Sequence, residues 1–101
     1  MSAQTVVEIG QMITSTPGIK GGTPHIARTG VTVRTIVRWY KLGMSPEEIA
    51  AQYEHLELAQ IYAALAYYHA NREDMEAHMA AEEAESDRLE QEHLRQQRGT
   101  R

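Results

Sequence analysis

The chain of 101 residues has room for one small domain and a tail, and its modest core would gain stability from a second copy or another partner. It contains no cysteine, which excludes disulfide bonds and zinc sites built on thiolates. No apolar run approaches the roughly 20 residues of a membrane-spanning helix, and Met1–Gly10 lacks the basic start and apolar core of a signal peptide. We therefore expect a cytoplasmic protein with no membrane segment.

Charge is divided unevenly along the chain. Residues 1–45 carry five basic residues against one acid, a net charge of +4, whereas residues 46–101 carry five arginines against thirteen acids, a net charge of −8. Such polarity indicates two different roles along one chain. A plainer alternative stays open, in which the acidic half is only a solvated helix.

The first third of the chain is weakly patterned. We predict a loose arm over residues 1–11, followed by a domain over residues 12–70. The domain begins with three short extended segments, at Met12–Ser15, His25–Ala27 and Val31–Val33. Pro17-Gly18 and Gly21-Gly22 are turn signals, because glycine adopts positive φ without a steric penalty. The segments are too short for an independent sheet, and unpaired edges of this kind invite pairing with a second copy.

A first helix is predicted from Thr32 or Val33 to Leu42–Gly43. Its apolar side is formed by Val33, Ile36, Val37 and Tyr40. On another side Arg34, Arg38 and Lys41 follow at i, i+4 and i+7, and Arg28 just ahead extends the stripe. Such cations neutralise nucleic-acid phosphates and release counterions. The alternative is an ordinary solvated face.

The stretch Gly43–Leu65 predicts two more helices joined by a tight connection. Ser45 and Glu48 match a capping box, and Pro46 stands at the first helical position, which needs no N–H partner. After a break at Tyr53–Leu56, the last of the three helices runs from about Leu58 to at least Tyr68. This order is typical of a helix-turn-helix unit.

The surface of the third helix suits packing better than DNA reading. Gln60 and Tyr62 offer base-edge or phosphate chemistry near its start, although such tyrosines are more often core or interface residues. Between Pro46 and Ala70 there are four glutamates and no lysine or arginine, so this helix would meet phosphate with the wrong sign.

From Ala70 onward the composition becomes that of a strong helix former, with neither proline nor glycine before Gly99. We predict an acidic helical tail over residues 71–101. Its large apolar positions are few, namely Met75, Met79, Leu89 and Leu94. So thin a stripe does not anchor a helix to a core. A tail of this kind lays a sparse apolar edge into a partner's groove while its acids meet a basic surface.

Titratable pairs are frequent on this tail. Two ion pairs at a spacing of three give slight support to a lone helix, Glu85 with Arg88 and Glu92 with Arg95. Three pairs at a spacing of four each offer two metal ligands, His69 with Glu73, Asp74 with His78, and His78 with Glu82. Such pairs arise by chance on an acidic helix, so we predict no metal and no cofactor. No nucleophile stands in a recognisable catalytic pattern, and we expect no enzyme.

A family resemblance is carried by residues from about Ile13 to Tyr67. They are Ile13, Pro17-Gly18-Ile19, Gly21-Gly22, Pro24, Ile26, Val31, Val33, the run GMSPEEIAAQY, His55-Leu56 and the run IYAALAYY. In this order they resemble the prokaryotic domain of unknown function 433, a family of homeodomain-like, VapB-like antitoxins. The family's Gly-Thr-Arg-Ile-Pro-Val run falls on Arg28–Val33, where glycine and arginine are exchanged and Thr32 replaces proline.

The resemblance implies a mainly α protein with a trihelical, winged-helix-like core that dimerises through its N-terminal extended segments. Together with the composition, it predicts short N-terminal β segments, a helix-turn-helix core and a long C-terminal helical tail. It also implies a neighbouring PIN-like ribonuclease toxin, which the antitoxin binds and silences. Proteins of this type commonly repress their own operon by binding double-stranded DNA.

Two functional hypotheses follow. In the first, the protein is a homodimeric antitoxin whose acidic tail binds the toxin. The toxin-binding residues would be Met75, Met79 and Leu89 as apolar contacts, with Glu82 and Glu83 among the acids. In the second, it is a stand-alone DNA-binding transcriptional regulator. The DNA contacts would be Arg28, Arg34, Arg38 and Lys41, with Gln60 and Tyr62.

Overall fold

A computed structural model describes residues 6–15 and 23–99, with side chains described as far as residue 97. The turn signals at Pro17-Gly18 and Gly21-Gly22 lie outside the described residues. The chain divides into two units, Met1–Asn71 and Arg72–Arg101. The predicted mainly α fold, with short N-terminal β segments and a long C-terminal helix, is confirmed.

The first unit contains a 3₁₀ helix, two short strands and three α-helices. In chain order they are the 3₁₀ helix Ile9–Met12, β1 (Ile13–Thr14), β2 (His25–Ile26), α1 (Val33–Lys41), α2 (Pro46–Ala50) and α3 (Leu58–Ala70). The three α-helices pack on one another, and α3 also contacts both strands and the 3₁₀ helix. A regular turn therefore lies inside the stretch that the sequence predicted as a loose arm.

The core lies where β2, α1, α2 and α3 meet. Its fully buried large side chains are all aliphatic: Ile26, Val33, Ile36, Val37, Ile49 and Ile61. Each buried side chain of this size contributes about 1.5–3 kcal/mol relative to an exposed position. Four elements thus share one small core, which fixes where their surface residues lie.

Helix α1 begins and ends close to its predicted bounds. Thr32 is the N-cap, and its hydroxyl accepts a hydrogen bond from the Thr35 amide at 3.3 Å. At the other end Gly43 has a φ of +96°, a conformation that side chains disfavour. Tyr40 departs from the predicted apolar side because 39% of it is exposed.

Helix α2 has the predicted capping box. The Ser45 hydroxyl accepts from the Glu48 amide at 3.1 Å, and the Glu48 carboxylate accepts from the Ser45 amide at 2.8 Å. Pro46 stands at the first helical position. Two amides that a helix start would otherwise leave without partners are satisfied in this way, and this sequence prediction is confirmed.

Helix α3 buries a broad surface. Its buried residues are Ile61, Ala63, Ala64, Leu65 and Tyr68. Leu58 is 39% exposed at the first position of the helix. The buried surface of α3 therefore covers more than one face, and the first turn stays open to solvent.

The three predicted extended segments pair with one another inside the chain. Strand β1 runs antiparallel to β2. On the other side of β2, the Ile26 amide donates to the Val31 carbonyl at 2.9 Å, and the Val33 amide donates to the Pro24 carbonyl at 3.0 Å. Both edges of β2 are therefore satisfied within the chain, and pairing with a second copy through the outer edges of the other two segments stays a prediction.

The second unit consists of α4 (Arg72–Gly99), a helix of 28 residues. Arg88 bonds Glu85 at 2.6 Å and Glu92 at 2.9 Å. The predicted pair Glu85–Arg88 is confirmed, whereas Glu92 pairs backwards with Arg88 instead of forwards with Arg95. Of the helices in the described parts of the chain, none is long and apolar enough to cross a membrane.

Candidate functional site

The cationic stripe on α1 is exposed at its C-terminal end. Arg38 and Lys41 face solvent, whereas Arg34 is half-buried. The Lys41 ammonium lies 5.9 Å from the centre of the Tyr68 ring, at the distance of a cation–π contact. Two cations of the predicted stripe are therefore at the surface.

An aromatic cluster that the sequence did not reveal lies beside these cations. The Tyr40 and His69 rings meet edge to face, with centres 5.8 Å apart, and the His69 and Tyr68 rings are 5.0 Å apart. The cluster joins the C-terminal ends of α1 and α3. Because Tyr40 is far in sequence from Tyr68 and His69, no local pattern could have indicated the cluster.

The two residues proposed to read DNA on α3 differ in their availability. The Gln60 side-chain oxygen accepts a hydrogen bond from the Glu57 amide at 2.6 Å and so caps the helix. A bidentate contact to adenine needs that oxygen as well as the amide group. Tyr62 is half-exposed and keeps its ring at the surface.

The residues predicted to bind a toxin lie along α4 with different exposure. Met75 is only 6% exposed, Met79 and Glu82 are intermediate, and Glu83 and Leu89 face solvent. A shallow groove follows one side of α4, lined by Ala77, His78, Ala81, Glu82, Glu85, Ser86 and Leu89. Two of the predicted contacts, Glu82 and Leu89, thus belong to one surface.

Glu85, which lines this groove, forms an ion-pair triad with Arg88 and Glu92. Hydrogen bonds from Arg88 lower the pKa of Glu85 below its ordinary value, and the same bonds with Glu85 raise the pKa of Arg88. Both shifts favour the charged form of the group. The triad links three turns of the helix and supports its helical state.

The histidine–acid pairs do not assemble into a larger cluster. Among the described residues, no group of three or more histidine, aspartate or glutamate side chains could hold a metal ion.

A cleft that sequence reasoning missed separates two loops of the first unit. One wall is the turn Arg28–Val31 and the other is the loop Gln52–Leu56. Arg28 has a φ of +63°, in the left-handed region that favours glycine. In the sequence, this turn was marked by the exchange of glycine and arginine in the Arg28–Val33 run.

Comparison with known proteins agrees with the resemblance found in the sequence. Residues 13–68, more than half of the chain, match the family described as "Protein of unknown function (DUF433)". The chain belongs to this family. The DUF433 resemblance predicted from Ile13 to Tyr67 is confirmed. Among curated proteins, none matches this DUF433 chain.

A solved DUF433 structure has a similar fold. The crystal structure of a DUF433 member protein from Anabaena variabilis ATCC 29413 has a TM-score of 0.64 and 33% sequence identity. The similarity covers 69% of this chain and 69% of that chain.

Proposed function

We propose that this DUF433 protein is the antitoxin of a type II toxin–antitoxin pair. In this role it binds a PIN-like ribonuclease toxin through α4 and silences it in the cytoplasm. It acts by binding and catalyses no reaction of its own. As a homodimer it would also repress its own operon.

The observation that carries the proposal is the surface of α4. Residues 72–99 contain nine acids against four arginines. On the side of α4 that carries the shallow groove, Leu89 is 52% exposed beside Glu82 and Glu85. A preformed helix with an apolar anchor among acids fits the helix-in-groove mode of recognition, in which a basic groove is the natural partner.

The acidic side chains of α4 explain how its binding would inhibit the toxin. A ribonuclease must attract RNA phosphates, so its substrate surface carries positive potential. Carboxylates of α4 would occupy that surface in place of phosphate.

The proposal is tested by co-expression with the product of the adjacent gene. Leu89→Arg should weaken complex formation and abolish growth rescue. The substitution removes the apolar anchor from the groove side of α4 and puts a cation in its place. Leu94→Arg is the matched control. Leu94 is 47% exposed, and five positions place it on a different side of a helix with about 3.6 residues per turn.

The control should keep both rescue and complex formation. Equal rescue by the two variants would contradict the assignment of this side of α4. Rescue by a chain truncated after Asn71 would contradict a toxin-binding role for α4 altogether.

A second candidate, a stand-alone DNA-binding regulator, is favoured by the exposed cations of α1. Arg38 and Lys41 face solvent on one helix and would contact phosphates. Changing both to alanine should then abolish a salt-sensitive gel shift on the upstream DNA. Unaltered binding by the double variant would contradict this role for α1.

A further inference from the structure

The cleft between the Arg28–Val31 turn and the Gln52–Leu56 loop has the properties of a preformed ligand site. Its volume is about 510 Å³, within the range of pockets that hold small molecules. Both walls are loops carried on the packed helices, an arrangement that commonly bears function. The cleft lies entirely within the first unit and is independent of the proposed role of α4.

The first wall is held rigid by Thr29. Its hydroxyl donates to the Ile26 carbonyl at 2.8 Å and accepts from the Val31 amide at 3.1 Å. The Thr29 amide also donates to the Ile26 carbonyl at 3.1 Å, which closes the turn. Ile26 itself is fully buried, so the turn is anchored directly to the core.

The second wall is held equally well. The Trp39 indole donates to the Tyr53 hydroxyl at 2.9 Å, and Leu56 is 9% exposed. The Glu57 amide, next along the chain, is tied to Gln60 at 2.6 Å. Since both walls are fixed, a ligand would not have to order them, which lowers the entropy cost of binding.

The turn carries a strained residue at the rim of the cleft. Arg28 is exposed, and its φ of +63° is unfavourable for a residue that carries a side chain. Glycine would adopt the same backbone without strain. The space beside Gly30 is open, because a Cβ atom there would meet nothing within 4 Å.

The lining combines one arginine, other hydrogen-bond donors, one carboxylate and an apolar part. Arg28, Gln52 and His55 bring hydrogen-bond donors to the cleft, and Val31 with Leu56 brings apolar surface. Arginine in particular matches the two oxygens of a carboxylate. A further lining residue, Glu54, would repel a polyanion such as a nucleic-acid backbone.

We propose that this cleft binds a carboxylate attached to a short apolar group. Two sources supply that chemistry, the C-terminal residue of a peptide and a small branched-chain acid. The carboxylate meets the donors at the rim, and the apolar group covers Val31 and Leu56.

The test is a titration of the ¹⁵N-labelled full chain followed by NMR. The probe is N-acetyl-leucine, and N-acetyl-leucinamide is its matched uncharged control. At probe concentrations on the order of 10 mM, expected for a ligand of so few atoms, the acid should shift amides of residues 28–31 and 52–56 in a saturable way. The amide should shift them at least tenfold less.

Two variants connect the shifts to the cleft. Arg28→Gly preserves the left-handed turn and should abolish saturable binding, whereas Arg95→Gln, at an exposed position of α4, should leave it unchanged. Gly30→Leu keeps Arg28 but fills the open space, and it should weaken binding at least tenfold. Unperturbed spectra away from the substitutions confirm that each variant is folded.

The sources are separated by a parallel titration with 3-methylbutanoate. Tighter binding of N-acetyl-leucine assigns the site to peptide C-termini, and equal or tighter binding of 3-methylbutanoate assigns it to small branched-chain acids. The proposal is overturned if neither acid shifts the cleft amides, if acid and amide probes bind equally, or if Arg28→Gly binds like the unaltered protein.

Discussion

The Trp39 indole N–H donates a hydrogen bond to the Tyr53 hydroxyl across 2.9 Å. Trp39 belongs to α1, whereas Tyr53 lies in the loop that follows α2. The bond therefore fixes the position of a loop that has no regular structure of its own. It also fixes one wall of the proposed ligand cleft.

Tyr53→Phe should destabilise the protein by about 1 kcal/mol, because the partly buried indole N–H loses its acceptor. Chemical denaturation monitored by circular dichroism would measure the change. Tyr62→Phe is the control, since Tyr62 is 50% exposed, and it should have little effect. Equal losses in the two variants would show that the indole bond contributes nothing specific.

Ser45→Ala should cost about 1 kcal/mol, the usual value of an N-cap hydroxyl. The reason is that the Glu48 amide loses the acceptor that now lies 3.1 Å away. The same change at Ser86, which is exposed inside α4, should be neutral or slightly stabilising because alanine favours helix interiors. Thermal unfolding of both variants compares a cap with a helix-interior position.

The capping carboxylate gives stability a defined dependence on pH. Hydrogen bonds from the Ser45 amide and hydroxyl lower the pKa of Glu48 below its ordinary value of 4.5. A group whose pKa is lower in the folded state than in the unfolded state stabilises the protein at pH values above its unfolded-state pKa. This contribution is lost as the pH falls through the folded-state pKa. The carboxylate therefore stabilises at neutral pH and less in acid.

Glu48→Gln tests this dependence, because glutamine can keep the capping geometry but does not titrate. At neutral pH the unaltered protein should unfold at a higher temperature than the variant. This difference in unfolding temperature should shrink as the pH falls below about 4.5. Parallel curves through the acid range would contradict the assignment.

Arg28→Gly should stabilise the protein by about 0.5 kcal/mol. The variant relieves the strain of a side-chain-bearing residue in a left-handed backbone conformation. This gain outweighs the greater conformational entropy of glycine in the unfolded chain. The matched substitution Arg38→Gly lies inside α1 and should instead cost about 1 kcal/mol. Denaturant titration of both variants would reveal the opposite signs. A loss of stability in Arg28→Gly would mean that the arginine side chain itself supports the turn.

The sequence by itself determined the elements whose stability is local. The capping box of Ser45 and Glu48 was predictable because its bonds span three residues. The long helix from Arg72 was predictable from its composition, and the DUF433 resemblance was predictable from the order of motifs. Helical periodicity also placed Val33, Ile36 and Val37 on the buried side of α1.

Tertiary structure alone decided the contacts between distant or competing partners. Even within α4 the partners of Arg88 were not fixed by the sequence, because Glu85 and Glu92 both lie about one turn away and spacing leaves the choice open. Pairing of β2 on both sides within one chain depended on the path of the backbone. The Trp39–Tyr53 bond and the cleft beside Arg28 arise only when the core brings loops together, because packing sets those distances and no local sequence pattern encodes them.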